Sequence, residues 1–405
     1  MAANPHSSPA VPDGTPQKRP SLWTRDFALV CLFNLAIFIS FQMLMPTIPV
    51  YVDRLGGNQA VIGLVTGIFT VSSVALRPWT GLGLDRYGRR GIWLAGTLVF
   101  VLAVAGYNWA LSIALLMMLR VVHGAGWGVL TVSAATAATD LVPPPRRGEG
   151  MGFFGLGANL GMAFGPAVGF AVVNRFGFPN LFWASAVLAA LASLLIFVVR
   201  LPEVRKGQGA PPPALWEPTA VKPALLMSFA TFIWGGVATF IALHAAEHGI
   251  ANAGVYFTAY AVTLLLTRPT MGALFDRCGH RVVLVPGFLL LGISMVILGL
   301  ADSLAAFLGA AVVGGLGFGS LHPALQALAV ATCAPTRRGA AQATFTASFD
   351  LGIGVGAVAL GLLAQFTGYG GMFLASAGMA LAGLVTYLAV GVDGMPAGKR
   401  NVPPS

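Results

Sequence analysis

Apolar residues fill most of the chain in long runs that are separated by short polar loops. Twelve of these runs are long enough to cross an apolar layer of about 30 Å at about 1.5 Å per residue. They show no period-two alternation, and backbone groups in lipid must be bonded within their own segment, so the runs predict helices rather than barrel strands. The predicted helices cover residues 27–50, 59–82, 91–110, 113–138, 149–173, 178–199, 223–246, 250–273, 281–301, 304–331, 338–366 and 369–391.

Composition supports the same fold class, an all-α membrane protein with twelve transmembrane helices. Only 9% of the 405 residues are charged, whereas a soluble domain carries about 25% charged residues. The net charge of +10 is distributed over many short loops, which argues against nucleic acid as a partner because nucleic-acid binding requires a clustered basic surface. The three cysteines are far apart and lack the spacing of metal ligands.

The basic residues predict the orientation of the chain. If both termini are cytoplasmic, 18 Lys and Arg residues lie inside and only Arg54 and Arg175 lie outside. We therefore expect a multi-pass protein of the cell (inner) membrane with both termini cytoplasmic. The predicted parts are a disordered tail (1–22), a six-helix bundle (23–199), a linker (200–222), a second six-helix bundle (223–392) and a tail (393–405).

The two halves repeat each other at an offset of 191 residues. This offset superposes RPWTGLGLDRYGRR, which starts at Arg77, on RPTMGALFDRCGHR, which starts at Arg268. Each predicted helix of the first half falls on one of the second, so the chain is a duplicated six-helix unit. Two parallel halves around a site near the bilayer midplane are the plan of an alternating-access transporter, and we expect a monomeric working unit.

The loop after the second predicted helix carries a motif similar to the G-x-L-x-D-R-x-G-R-R pattern of the major facilitator superfamily, which the chain resembles over residues 22–392. Gly83 replaces the Leu of this pattern, and His280 replaces an Arg in the second-half copy. Glycine permits a tight turn and the charged residues can form a latch, which predicts conformational gating; a solvated basic loop is the alternative. The residues concerned are Gly81, Asp85, Arg86, Gly88, Arg89 and Arg90, with Gly272, Asp276, Arg277, Gly279 and Arg281 in the second half.

A second motif, RVVHGAG from Arg120, resembles the family pattern R-x-x-Q-G-x-G. Arg120, His123, Trp127 and Thr131 share one helix face. An Arg in a membrane helix costs on the order of a few kcal/mol unless it meets water or a partner, so this face is predicted to line a cavity or a polar seam. The alternative is that Arg120 only bonds carbonyl groups of a neighbouring helix. The resemblance implies proton coupling by Arg120, and we place His123 with it.

A third motif lies in the predicted helix 149–173, where glycines recur at four-residue spacing. The run GMAFGPAVG resembles the motif of exporters in the drug and proton antiporter branch, with Phe170 in place of a final Gly. The resemblance implies export, and it assigns conformational gating to Gly161, Gly165, Pro166 and Gly169. Ordinary close packing of two helices is the alternative.

Two Arg-Pro pairs, at Arg77 and Arg268, are similar to a feature of efflux permeases for sugars or metallophores. From the residues alone, a proline at this place would end the regular hydrogen bonding of the helix near the membrane surface. The arginine before it would then extend outward to water.

Asp350 is the only one of the 13 acidic residues that is predicted to lie far from both ends of a membrane helix, about 18 Å along the helix from Arg338. Desolvation favours the neutral form of an unpaired carboxyl group there, so Asp350 is predicted to carry a coupling proton beside a titratable His322. A static hydrogen bond between the two is the alternative. In the family the first, fourth, seventh and tenth helices line the substrate cavity. That resemblance assigns to the cavity Asn34, Phe41, Gln42, Trp127, Thr131, Trp234, Phe318 and Gln326. We add Asn159, which is the residue equivalent to Asp350 in the first half.

These patterns predict a proton-driven exporter of small organic solutes or drugs that works by alternating access. We expect the proton gradient to supply the energy without a cofactor, and the partners to be a small-molecule substrate, protons and the lipid bilayer. Proton-coupled uptake and a non-transporting receptor or scaffold are the alternatives. An enzyme is disfavoured because the chain has no zinc-ligand motif, serine nucleophile elbow or phosphate-binding loop.

Overall fold

The computed structural model describes residues 21–143, 146–201, 216–250, 252–331, 333–334 and 337–390. Within these ranges the chain is helical and contains no β-strand. The α-helices are α1 (Arg25–Leu44), α2 (Thr47–Arg54), α3 (Gln59–Tyr87), α4 (Arg89–Gly106), α5 (Ile113–Leu141), α6 (Arg147–Val198), α7 (Val221–Glu247), α8 (Gly254–Cys278), α9 (Arg281–Gly299), α10 (Leu304–Ala331) and α11 (Arg338–Val390). The predicted tails lie outside the described residues, as does most of the predicted linker.

α6 and α11 are each long enough for two membrane crossings, and each is interrupted by one glycine. The backbone leaves helical geometry at Gly177 (φ 83°, ψ 174°) in α6 and at Gly368 (φ 69°, ψ 175°) in α11. Residues 147–176 are called the first part of α6 here, and residues 338–367 the first part of α11. The first predicted helix is instead divided, since α1 ends before Pro46, which has no amide hydrogen to donate, and α2 follows it.

The internal repeat of the sequence is also a repeat of backbone geometry. Gly88 (φ 92°) follows α3, and Gly279 (φ 84°), 191 residues later, follows α8. Gly177 and Gly368 are separated by the same interval. Since a positive φ favours glycine over residues with a Cβ, the repeated glycines place the same turns in both halves.

The glycine stripe of α6 is a packing surface inside the first half. A Cβ on Gly161 would lie 2.6 Å from the Cβ of Phe38, and one on Gly169 would meet the backbone of Met43. The first part of α6 and α1 therefore approach with their backbones almost in contact. In the second half, Gly356 brings the first part of α11 equally close to α7.

Within the described residues, two helix pairs form most of the contact between the halves: α3 with the first part of α11, and the first part of α6 with α8. In one pair, a Cβ on Gly361 would lie 3.2 Å from the Cα of Gly63. In the other, a Cβ on Gly254 would lie 3.3 Å from the Cβ of Phe170. The 191-residue offset carries Gly63 onto Gly254 and Phe170 onto Gly361, so these two interfaces are equivalent by the repeat.

Candidate functional site

An ion pair joins the two halves at the first interface. Nη2 of Arg77, in α3, lies 2.5 Å from Oδ2 of Asp350, in the first part of α11, and about one fifth of each side chain is exposed. Asp350 is twelve residues after Arg338, about 18 Å along the helix at about 1.5 Å per residue. Opposite charges attract strongly in such surroundings, and a proton on Asp350 would remove the attraction.

This pairing corrects two expectations about the same residues. Arg77 does not extend outward, because α3 continues through Pro78 to Tyr87 and the guanidinium group turns to Asp350. The alternative hydrogen bond between Asp350 and His322 is not formed in the described structure. The solvation free energy that an arginine loses within a membrane helix is offset by attraction to a carboxylate, and Asp350 supplies that carboxylate here.

Arg268 occupies the equivalent position at the second interface, but its surroundings differ. The residue equivalent to Asp350 there is Asn159, which carries no charge. Within the described ranges Arg268 has neither a hydrogen bond nor an ion pair, and its Nε is buried without a partner. It interacts electrostatically with Tyr260 and His322, neither of which is an acidic residue.

Arg120 lies in a polar and aromatic seam within the first half. Its Nε donates to the carbonyl oxygen of Val65 at 3.1 Å, and its guanidinium carbon lies 4.3 Å from the centroid of the Phe69 ring. Nδ1 of His123 lies 2.7 Å from the hydroxyl oxygen of Tyr107, and both Arg120 and His123 are buried. The predicted polar seam is thus present, and the contact with Val65 is the carbonyl bond of the alternative. Proton coupling by Arg120 and His123 stays a prediction.

The other cavity residues predicted in the first half are mostly engaged in packing. The rings of Phe41 and Trp127 stack with their centroids 4.0 Å apart. The amide nitrogen of Asn34 donates to a carbonyl group of α6 at 2.9 Å, and the hydroxyl of Thr131 donates to the carbonyl of Trp127 at 2.7 Å. Gln42 is buried against α6. The polar groups of Asn34 and Thr131 therefore already have partners within the first half, and their contact with a substrate stays a prediction.

In the second half, the structure gathers Trp234 and Phe318 into one aromatic group with Tyr260. The ring centroid of Trp234 lies 4.7 Å from that of Tyr260 and 5.8 Å from that of Phe318. These rings line a small cavity of about 10 Å³. The partly exposed Gln326 donates from Nε2 to Oε1 of Gln342 at 3.2 Å.

A larger cleft, of about 320 Å³, lies between the halves at the side opposite to the start of α1. Its walls come from the ends of α2, of the first part of α6 and of α7. Arg54 is the only charged residue among the described residues that line it. None of the cavity residues that we predicted lines this cleft.

The predicted gating loops form contacts that differ between the halves. Nε of Arg89 donates to Oδ2 of Asp140 at 2.9 Å, and Nη2 of Arg90 donates to the carbonyl of Val199 at 2.5 Å, which ties α4 to α5 and α6. In the second half, Nδ1 of His280 lies 2.8 Å from the hydroxyl of Tyr387. The predicted side chains of Asp85 and Asp276 lie outside the described part of the structure.

Sequence reasoning missed Asp140 as the partner of this latch. Asp140 is one of several acids at predicted helix ends, and nothing in its immediate sequence marks it. Its repeat mate is Ala331, so the internal repeat gives no signal either. Gating by Arg89 and Arg90 stays a prediction, and the structure identifies Asp140 as the partner of Arg89.

Glu217 forms a second contact that sequence reasoning missed. The hydroxyl and amide of Thr219 donate to its Oε1 at 2.8 and 3.2 Å, and Nε of Arg337 lies 2.6 Å from its Oε2. The Thr219 hydroxyl, with smaller contributions from the Thr219 amide and Arg337, lowers the pKa of Glu217 below its ordinary value. The amide of Glu217 also donates to Thr344 at 3.0 Å, so this residue ties the chain before α7 to α11.

His244, Glu247 and His248 form the one group of metal-ligand type found among the described residues, with ligand atoms within 4.8 Å of one another. They lie at the end of α7. Nε2 of His244 lies 2.9 Å from the carbonyl oxygen of Leu298, and its Nδ1 lies 3.8 Å from Oε2 of Glu247. The group thus connects α7 to α9, away from the Arg77–Asp350 ion pair.

Nine helical stretches among the described residues are long and apolar enough to cross a membrane, and two of them are long enough for two crossings. The family model described as Major Facilitator Superfamily matches residues 30–256 and 224–404, so the chain belongs to this superfamily. This membership confirms the all-α fold with twelve transmembrane helices in two related bundles, and it shows a transporter rather than an enzyme.

Two relatives are efflux proteins by name. The chain is 23% identical over 365 residues to the staphylopine export protein of Staphylococcus aureus, which covers 86% of this chain and 91% of that protein. It is 24% identical over 324 residues to the multi-drug resistance efflux pump PmrA of Streptococcus pneumoniae, covering 76% and 81%. A solved bacterial homolog of the human lysosomal transporter Spinster has the same fold, with a TM-score of 0.79, 16% identity, and coverage of 92% and 98%.

Proposed function

We propose that this protein is a proton-coupled exporter of small organic solutes, acting as a monomer in the cell (inner) membrane with both termini cytoplasmic. The names of the two efflux relatives support the direction of transport. The observation that carries proton coupling is the Arg77–Asp350 ion pair, because it links the two bodies that must move against each other and contains a titratable group.

The ion pair suggests how a proton drives the change of state. When Asp350 is ionised, its attraction to Arg77 stabilises the contact between α3 and α11. When Asp350 takes up a proton, Arg77 loses its counterion and this contact weakens. About one fifth of the Asp350 side chain is exposed, whereas its Oδ2 atom is buried in the ion pair. Proton uptake and loss would then shift the equilibrium between the two orientations of the halves.

The direction of transport is tested by measuring the solute content of cells that contain or lack the protein, across a panel of metabolites and drugs. We expect at least one solute to decrease in cells with the wild-type protein and to stay at the control level in cells with Asp350→Asn. Accumulation of a solute in the wild-type cells would show uptake instead. No change in any solute would favour the receptor or scaffold.

Topology is tested separately by attaching an accessible cysteine to each terminus and labelling intact cells with a membrane-impermeant maleimide. We expect no labelling at either terminus until the cells are opened. Labelling of either terminus in intact cells would contradict the proposed orientation. The native Cys278 is exposed, so the three native cysteines are replaced first.

A further inference from the structure

The two interfaces between the halves have the same backbone but different charges. The contact of Gly63 with Gly361 corresponds to that of Gly254 with Phe170 under the 191-residue offset. The same offset carries Arg77 onto Arg268. The first interface has an internal carboxylate for its arginine, whereas the corresponding residue at the second interface, Asn159, is neutral.

Arg268 therefore lacks a counterion within the described part of the chain. Nε is buried without a hydrogen bond in both Arg77 and Arg268, but only Arg77 has an ion pair. The acid that sits deep in the second half, Asp350, is already paired with Arg77. A guanidinium group that is largely removed from water is costly until an anion meets it.

The surroundings of Arg268 are suited to an organic ligand. A Cβ on Gly319 would lie 3.1 Å from the Cβ of Thr267, which places α8 directly against α10. On α10, the ring of His322 stacks on Phe318 with centroids 6.0 Å apart and meets Phe349 edge-on at 5.4 Å. His322, which interacts electrostatically with Arg268, is thus part of an aromatic surface on which a planar apolar group can pack.

The residues around Arg268 are not fully buried, and Nε of Arg268 has no hydrogen-bond partner in the described structure. Arg268, His322, Gln326 and Asn159 all keep partial exposure. Asn159 offers an amide that can donate a hydrogen bond to an anion without neutralising Arg268. A carboxylate at residue 159 would instead satisfy the guanidinium group from within the protein, as Asp350 does for Arg77.

We propose that Arg268 binds the anionic group of the transported solute, and that the solute is an organic anion: a carboxylate or sulfonate joined to a planar apolar body. The anionic group would lie between Arg268 and Asn159, and the apolar body against Phe318 and Phe349. This inference rests on the proposed transport function and names its substrate class.

The test compares two dyes that share a xanthene ring system but differ in charge. Fluorescein is an anion at mildly alkaline pH and rhodamine 6G is a cation. Binding to the purified full-length protein in lipid nanodiscs is measured by fluorescence anisotropy, without any proton gradient. We expect the wild-type protein to bind fluorescein more tightly than rhodamine 6G.

Arg268→Gln should weaken fluorescein binding by about tenfold or more, because a charge-assisted hydrogen bond to a charged ligand is lost. Binding of rhodamine 6G should not weaken. The matched control is Arg175→Gln, which removes a positive charge from an exposed position. This control should leave the affinity for fluorescein within about twofold, which shows that the loss is local rather than a general effect of net charge.

Asn159→Asp is a second variant that keeps Arg268 and serves if Arg268→Gln does not fold. It supplies the internal carboxylate that the second interface lacks, so fluorescein binding should fall by about tenfold or more while the unfolding temperature is kept or raised. Asn159→Gln, which remains neutral, should retain most of the affinity.

The proposal is overturned if the wild-type protein binds neither dye, if it binds rhodamine 6G at least as tightly as fluorescein, or if folded Arg268→Gln or Asn159→Asp protein binds fluorescein like the wild type. Arg268-dependent binding in a protein that exports no solute would support the anion site and contradict the proposed export. Export of a cationic solute that does not require Arg268 would support the proposed export and contradict the anion site.

Discussion

The two interfaces that join the halves began as copies of one structure and now carry different chemistry. Between α3 and α11, Arg77 and Asp350 neutralise each other inside the protein. Between α6 and α8, the equivalent Arg268 has no internal counterion in the described structure, and the residue equivalent to Asp350 is the neutral Asn159. The difference teaches that one change between Asp and Asn decides whether the arginine of such an interface has a counterion within the protein; on our proposals, the paired arginine serves switching and the unpaired one serves ligand binding.

The loops of the two halves differ in the same way. The first half ties α4 to α5 with the Arg89–Asp140 ion pair. In the second half, His280, the residue equivalent to Arg89, contacts the hydroxyl of Tyr387, and the residue equivalent to Asp140 is Ala331. Among the described residues, the duplicated backbone thus carries an ion pair in the first half and a His–Tyr contact at the equivalent position in the second.

The largest effect is expected from breaking the first interface with Asp350→Asn. Asn keeps the shape of the side chain but cannot titrate, so uphill export driven by a pH gradient should be abolished while downhill flux or exchange survives. The measurement is solute flux in proteoliposomes with and without a pH gradient. His322→Gln should change the pH dependence of transport less than Asp350→Asn does, because His322 does not bond Asp350 in the described structure.

A charge exchange sharpens this test. Arg77→Asp combined with Asp350→Arg should recover folding and part of the downhill flux relative to either single variant, because the ion pair is restored in reverse. If Asp350→Asn protein, present at normal level, still concentrates its solute with an unchanged pH profile, the pair is structural. The coupling proton must then be carried elsewhere.

The next largest effect is expected from separating the same helices without touching a charge. A Cβ on Gly63 would meet the backbone carbonyl of Ala357, and backbone atoms cannot move aside without shifting the whole helix. Gly63→Ala should therefore destabilise the protein by about 1–3 kcal/mol, seen as a lower unfolding temperature. Gly155→Ala is the control, because its Cβ would meet nothing within 4 Å. Equal unfolding temperatures for the two variants would show that the close approach of α3 and α11 contributes little.

A smaller effect is expected from the loop latches, and the two halves should differ. Arg89→Gln removes the ion pair to Asp140 and should lower the transport rate several-fold while substrate affinity changes little, since the loop is remote from the proposed binding positions. Tyr387→Phe removes the hydroxyl that contacts His280 and should have the milder effect. A selective loss of affinity in Arg89→Gln would place this residue with substrate binding instead of gating.

The smallest effect is expected from Glu217, whose pKa is lowered chiefly by the Thr219 hydroxyl and also by Arg337. A carboxyl group with a lowered pKa in the folded state stabilises that state above its unfolded pKa, and the stabilisation is lost as the pH falls through the lower folded value. The difference in unfolding temperature between wild type and Glu217→Gln should therefore be present near neutral pH and vanish in strong acid. The exposed Asp302→Asn is the control. A difference that persists in strong acid would contradict the role of the ionised carboxyl.

The sequence by itself determined the number of membrane crossings, the duplication and the superfamily. These features depend on local properties: run length, the 191-residue offset, and turn glycines such as Gly88 and Gly279 whose positive φ a residue with a Cβ would resist. The helix bounds are predicted within a few residues for most elements, for example residues 304–331 for α10. Local pattern is enough for these features because lipid requires each segment to satisfy its own backbone.

Only the tertiary structure decided which charged groups meet. Arg77 and Asp350 lie far apart in the chain, and their pairing depends on how two separately folded bundles approach each other. Asp140 and Arg89 pair for the same reason. The lack of a counterion at Arg268 becomes visible only when its neighbours are placed around it. Charge pairing is a property of three-dimensional proximity, and side chains several helices apart leave no periodic signal in the sequence.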